Sequence, residues 1–220
     1  MVEAVLRMRR RSAGRVADAA VRYAAMGWPV CLGAFQPSRA ARAAEALRAC
    51  SCDRIGCPAP GAHPLSPAWQ NLASSDPGLV ARWWLSSPEA GIILPTGHIF
   101  DVLDVPAQVG LTALARIERS GRRPGPVALS SGDRAYFFVR SRGAPADESE
   151  WWPCHLDCEP QKVAEVTGLR WHCRDSFVLA PPSRASGSEP GRWIRQPASY
   201  DLPDSLWVLE ALADAYEEAR

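Results

Sequence analysis

The sequence predicts an α+β fold, and three observations carry that reading. Two short Ile- and Val-rich runs, 91–94 and 100–105, flank Pro95-Thr96-Gly97 and read as neighbouring strands. Apolar residues recur at helical spacing in 16–26, 76–86, 110–120 and 204–219. A hairpin signal, Ser131-Gly132-Asp133-Arg134, separates the apolar runs 127–130 and 135–140.

Taken in order, residues 1–15 hold Arg7, Arg9, Arg10, Arg11 and Arg15 and read as a basic, flexible terminus. Residues 16–220 read as a single domain. A helix over 16–26 ends at Gly27, and 28–35 reads as a buried strand with Cys31 as a core thiol. Residues 38–49 read as a short exposed helix, and 50–64 as a loop punctuated by Pro and Gly. The helix over 76–86 has Asp76 as N-cap and Pro77 in its first turn, with Val80, Trp83 and Trp84 inward. In the helix over 110–120, Leu111, Leu114 and Ile117 are expected inward. Residues 141–150 are polar, and 151–158 form an aromatic, Cys-containing loop. Runs 163–166 and 177–180 and the stretch from Trp193 read as further strands. The closing helix presents Leu206, Leu209, Leu212, Ala213 and Tyr216 on one apolar face.

A hydrophobic content of 47% is enough for a sizeable core, and a net charge of +1 excludes a protein that is basic over its whole surface. Arginine supplies the positive charge, since Lys162 is the only lysine. No run approaches the ~20 apolar residues of a membrane span, so a cytoplasmic protein without membrane contact is expected. Seven cysteines in that compartment argue for metal ligation or buried thiols over disulfides.

Cys50, Cys52, Cys57 and His63 lie within fourteen residues as C-x-C-x4-C-x5-H. Three thiols and an imidazole close a tetrahedral zinc site, and four protein ligands make it structural. The alternative is a loop with free thiols. Cys154, His155, Cys158, His172 and Cys173 form a looser set, which reads as buried thiols or a second metal site. Arg134, Arg140, Arg142, Arg170, Arg174 and Arg184 are interleaved with Tyr136, Trp171 and Trp193. If their strands adjoin, they make a surface that grips phosphates and stacks bases; otherwise they are ordinary edge charges.

Asp101 and Asp104 share one run. Strand side chains alternate faces, so these two point to opposite sides unless a bulge intervenes. A same-face partner for Asp104 would sit at 106, which is Pro106.

The order of pieces resembles the N-terminal domain of bifunctional DNA primase/polymerases. The pieces are Ala24–Val30 (AAMGWPV), the Cys/His loop ending His63-Pro64, Trp83-Trp84, GIILPTG, VLDV, SGDRAYFFV and FVLAPPS, spanning about 19–193. The resemblance implies a core with an RNA-recognition-like antiparallel or mixed sheet and flanking helices, plus the small Cys/His loop. Active members of that family bind two divalent ions, magnesium or manganese, through Asp-x-Asp or Asp-x-Glu and a later acidic residue. A hairpin His contacts the nucleotide phosphates. Here Asp104 matches the first carboxylate, Pro106 the second, and Ala135 the His. The third acidic position falls near 170–174, with Asp175 several places late.

The resemblance therefore implies a degenerate site with Asp104 as remnant, binding DNA or nucleotide through Arg134, Tyr136, Arg140 and Arg174 in replication or its regulation. A replication protein is a further expected partner. Two alternatives stand beside it. One is an active primase/polymerase with a rearranged Asp101, Asp104 and Asp175 site. The other is a structural or protein-interaction domain.

Overall fold

The computed structural model describes residues 2–37, 50–52, 54, 56–142, 168–197 and 202–219. The expected helix at 38–49, the polar stretch at 143–150, the loop at 151–158 and the strand at 163–166 lie outside them. The described elements are α1 (Val2–Ala25), β1 (Cys31–Gly33), a single turn α2 (Trp69–Leu72), α3 (Pro77–Ser86), β2 (Gly91–Pro95), β3 (Phe100–Pro106), α4 (Ala107–Arg119), β4 (Val127–Leu129), β5 (Arg134–Arg140), β6 (Arg170–His172), β7 (Phe177–Leu179), β8 (Arg192–Arg195) and α5 (Ser205–Glu218). The α+β expectation holds, with antiparallel sheets and flanking helices.

A single domain was expected, but the chain divides into two compact units. The first comprises Met1–Pro95 and Leu179–Gly191, and the second Thr96–Val178 and Arg192–Arg220. The division falls inside the Pro-Thr-Gly turn. Consequently β2 and β3 are not neighbours: β2 belongs to a sheet of order β1-β2-β7 and β3 to one of order β6-β3-β5-β4-β8. Local sequence marks two strands and a turn, but it does not state that the turn carries the chain from one sheet to another.

In the first unit, α1 begins at Val2 rather than Val16. Residues 2–15 are rich in Arg, a good helix former, and contain no proline, so the helix runs through them. Its C-terminal part buries Ala19, Ala20, Tyr23 and Ala24. The strand expected over 28–35 narrows to β1. In α3, Asp76 caps as expected, accepting from Gly78 N at 2.7 Å and Leu79 N at 3.1 Å. Val80 and Trp84 are buried, and Trp83 is half-buried.

The second unit has the β-α-β-β plan of a split βαβ fold, with β3, β4, β5 and β6 as its first four strands. They lie in the order fourth, first, third, second, and β8 extends the edge beside β4. All the registered pairs in this sheet are antiparallel. Helices α4 and α5 cover one face. Leu103 and Val105 of β3, Ala135, Phe137 and Val139 of β5, and Trp171 of β6 form the core there with Leu114, Ile117, Val208 and Leu212. Arg116 forks onto Glu218 and holds α4 against α5.

Two helix faces differ from expectation. Leu111 is exposed, while Val109, Gly110 and Ala113 are buried. In α5 the buried stripe is Ser205, Val208, Leu212 and Ala215, with Leu206 and Ala213 exposed. Leu206 to Leu209 is one continuous apolar run, which fits two helical phases equally well. Packing on the sheet selects the phase of Val208.

Gly110 is where α4 presses on the sheet: an added Cβ would lie 2.3 Å from Ala135 Cβ and 3.1 Å from Val105 Cγ2. Gly110→Ala should therefore lower stability by about 1–3 kcal/mol through overpacking. Urea denaturation checks this, and an unchanged midpoint would contradict so close a helix–sheet approach.

Candidate functional site

The face of the five-stranded sheet turned away from α4 and α5 carries several of the residues that the sequence marks as functional, and at its centre it is buried. In the register, Asp104 lies between Tyr136 of β5 and Arg170 of β6. Pro106 pairs with Arg134, and Val102 with His172. Cross-strand partners share a face, so Asp104, Arg134, Tyr136, Arg170 and His172 all point away from the helices.

Asp104 is buried, at 2% exposure, and cations surround it. Arg134 Nε–H donates to its Oδ1 at 2.6 Å, and Arg134 Nη2 donates to the Asp104 carbonyl at 3.1 Å and the Gly168 carbonyl at 2.7 Å. His172 Nε2 lies 3.2 Å from Oδ2, and Arg170 Nη1 lies 3.9 Å from it. His172 Nδ1 is 3.1 Å from the Ser176 hydroxyl, and the ring meets Tyr136 edge-on at 6.2 Å. Burial raises the Tyr136 phenol well above its ordinary pKa, and the nearby Asp104 charge adds to the effect. A carboxylate buried this deeply needs partners, since an unpaired charge in a low dielectric is very costly. Here those partners are side chains, and the guanidinium of Arg134 reaches in from the residue opposite Pro106.

The other expected site residues are dispersed. Asp101 points to the helix side, where Trp171 Nε1–H donates to its Oδ2 at 3.1 Å. Burial holds its carboxyl above the usual range, despite that bond and polar groups at Ser141, Arg142 and Gly97. Asp175 is exposed on the turn between β6 and β7, with φ of 63°. Arg174, also exposed, lies 3.9 Å from it. Gly97 abuts this turn so closely that a Cβ would lie 2.1 Å from Arg174 Cα, and its own φ is 88°. Among the described residues, Asp101, Asp104 and Asp175 form no group able to share an ion. Arg140 is exposed at the end of β5, Arg184 belongs to the first unit, and Trp171 is core.

Ala135 faces the helices and packs beneath Gly110. A histidine there would enter the core, so position 135 offers no phosphate contact on the Asp104 side; Arg134 and Tyr136 occupy that side. Sequence reasoning missed Arg170 and His172 as partners of Asp104. The available signal was their spacing of two, which puts both on one face of any strand.

The first unit holds the metal-ligand cluster. Cys50, Cys52, Cys57 and His63 offer ligand atoms that all lie within 4.8 Å of one another. His63 Nε2 is 3.4 Å from Cys50 Sγ and 3.3 Å from Cys57 Sγ. Tetrahedral zinc bonds of about 2.0–2.3 Å require edges of roughly 3.5 Å, which these separations match. His63 Nδ1 lies 2.7 Å from the Pro64 carbonyl. A carbonyl only accepts, so Nδ1 carries the proton and the Nε2 lone pair faces the thiols.

The thiols are primed unequally. Burial opposes ionisation of Cys50, but hydrogen bonds led by the Cys52 and Gly61 amides outweigh it and bring its pKa down to about 7. Burial and the neighbouring Cys52 and Cys50 push Cys57 up to about 11, against the Ala59 amide. A second thiolate beside the first needs a cation between them. The cluster is thus suited to hold a metal ion. Cys173 is half-buried on the β6–β7 turn, while Cys154 and Cys158 lie outside the described residues.

Residues 20–207 match the family described as "Bifunctional DNA primase/polymerase, N-terminal". The match covers most of the chain, which therefore belongs to this family. No curated protein matches it. No described helix is long and apolar enough to cross a membrane.

The Asp101 environment has a measurable consequence. Its folded pKa is raised, so the folded chain keeps a proton that the unfolded chain releases. The stability this group contributes is complete below the ordinary carboxylate pKa of about 4 and is lost as pH rises toward the folded value. Asp101→Asn removes the penalty and should gain stability over the natural chain as pH increases. Urea midpoints for both chains at pH about 4 and about 7 check this, and a pH-independent difference would contradict it.

Proposed function

We propose that this chain is a primase/polymerase homologue that no longer carries out two-metal nucleotidyl transfer and acts by binding DNA or nucleotide in replication or its regulation. The observation that supports this reading is the neutralised Asp104. Two-metal catalysis needs carboxylates that hold both ions and offset their charge. Here Pro106 stands at the second carboxylate position, and the strand partners of Asp104 are Tyr136 and Arg170. Cations in direct contact with the remaining carboxylate repel divalent ions and occupy its lone pairs. The rearranged alternative needs Asp101 and Asp175 beside Asp104, whereas Asp101 bonds Trp171 on the opposite face.

In this reading the Cys50, Cys52, Cys57 and His63 knuckle holds a structural zinc ion. The bound ion would supply the charge that lets three thiolates coexist and would cross-link a loop rich in Pro and Gly. Four protein donors leave no open position for chemistry. Binding to DNA would use the exposed Arg140 and Arg174, with Arg134 and Tyr136 set deeper on the same sheet.

Primer-extension and de novo primer assays, with magnesium and then manganese, test the catalytic part. We expect no product with either ion. Product that disappears in Asp104→Ala would overturn the reading. The same preparation, titrated with a labelled single-stranded oligonucleotide at two salt concentrations, should bind weakly and lose affinity as salt rises. Absence of binding at low salt would favour a protein-interaction role.

A further inference from the structure

The knuckle is bound on two sides, and the second side has a consequence of its own. On one side it is pinned to the strand β1. Ser51 N donates to the Phe35 carbonyl at 2.8 Å, Ala34 N to the His63 carbonyl at 2.8 Å, and Leu65 N to the Leu32 carbonyl at 2.9 Å. On the other side it meets the loop that follows β7. Ser186 N donates to the Pro60 carbonyl at 2.9 Å. Gly61, with φ of 77°, packs its backbone on the loop: a Cβ there would lie 3.4 Å from the Arg184 carbonyl and 3.6 Å from Ala185 Cα.

The stem of that loop is anchored independently. Ala180 N donates to the Ile92 carbonyl at 2.9 Å, Ile92 N to the Ser183 hydroxyl at 2.8 Å, and Gly191 N to the Ser183 carbonyl at 2.9 Å. Tyr23 donates its hydroxyl proton to the Pro181 carbonyl at 2.5 Å. The base of the loop thus rests on the β2 core. A backbone bond runs from its tip to Pro60. Pro60 and Gly61 lie between the ligands Cys57 and His63, in the segment whose shape the ligand cluster fixes.

We propose that metal binding in the knuckle holds the tip of the 184–188 loop, so that the position of the exposed Arg184 is metal-dependent while the stem of the loop is not. The knuckle has no apolar core to keep Pro60 and Gly61 in place once three thiols and an imidazole lose their common cation. Without it the Pro60 carbonyl and the Gly61 backbone lose their fixed position, and the Ser186 amide loses its acceptor. The stem keeps its bonds, because none of them passes through the knuckle.

The inference rests on the zinc reading, and the experiment separates the two. Elemental analysis of the full chain, prepared without chelator, should give one equivalent of zinc. Less than half an equivalent sinks the zinc reading itself. Residue-resolved amide hydrogen exchange is then followed before and after chelation. The Ser186 amide should lose its protection, while the Ala180 and Gly191 amides keep theirs. Ser186 protection that survives chelation overturns the inference and leaves the zinc reading standing. Equal loss at Ala180 also overturns it, since the metal would then support the whole unit rather than the loop tip. Gly61→Ala offers a route that spares the ligands. Its Cβ strains a positive-φ position. This variant should keep its zinc, and whatever Ser186 protection it retains should fall on chelation; protection that survives chelation counts against the proposal.

Discussion

The second unit depends on how one buried carboxylate is neutralised. Asp104 sits on the central strand β3, between β5 and β6, at 2% exposure. A charge in that position must be balanced at short range. A two-metal enzyme balances such carboxylates with ions that arrive with the substrate. This chain balances Asp104 with Arg134 and Arg170 at 2.6 and 3.9 Å, and the His172 ring lies 3.2 Å from the same carboxylate. In the proposed reading one solution stands in place of the other. A carboxylate whose lone pairs already face guanidinium and imidazole N–H groups has little left for magnesium, and nearby positive charge opposes the ion's approach. Breaking the arrangement is costly as well, because losing Asp104 would leave the half-buried Arg134 without its closest counter-charge.

The first unit solves a different problem by similar means. Its sheet is short, with β1 only three residues long, and the ligand-bearing stretch 56–64 is punctuated by Pro and Gly. Such a segment cannot bury enough apolar surface to order itself. Four converging ligand atoms take over that role. The unequal acidity of Cys50 and Cys57 shows the same electrostatic limit as Asp104: one charge is tolerated by local dipoles, and further charge requires a cation. In the knuckle the ligand cluster is suited to take that cation as a metal ion. At Asp104 arginine fills the place.

Much of this was legible in the sequence where local chemistry decides the outcome. The Asp76 cap, the Ser131-Gly132-Asp133 hairpin turn, the Cys3His spacing and the opposite faces of Asp101 and Asp104 follow from short-range geometry and stand in the structure. What was not legible depends on long-range partners. The Pro95-Thr96-Gly97 turn reads the same whether it joins neighbours or crosses between sheets. The closing helix offers two apolar phases, and only the sheet beneath it chooses Val208 over Leu209. Arg170 reads as one of a cluster of arginines and His172 as one of a loose Cys/His set, and only the strand register sets the two beside Asp104. Ala135 is the subtler case: the sequence resemblance puts the family's phosphate-binding His position there, whereas strand alternation turns that position into the core.

The claim that separates this chain from an active primase/polymerase is that Asp104 holds side-chain cations in place of divalent ions. Manganese titration of the zinc-loaded chain, followed by electron paramagnetic resonance with and without a nucleoside triphosphate, tests it directly. The account predicts no stoichiometric manganese bound by the protein in either condition, and spectra indistinguishable from those of Asp104→Ala. One or two bound ions that vanish in Asp104→Ala would contradict it.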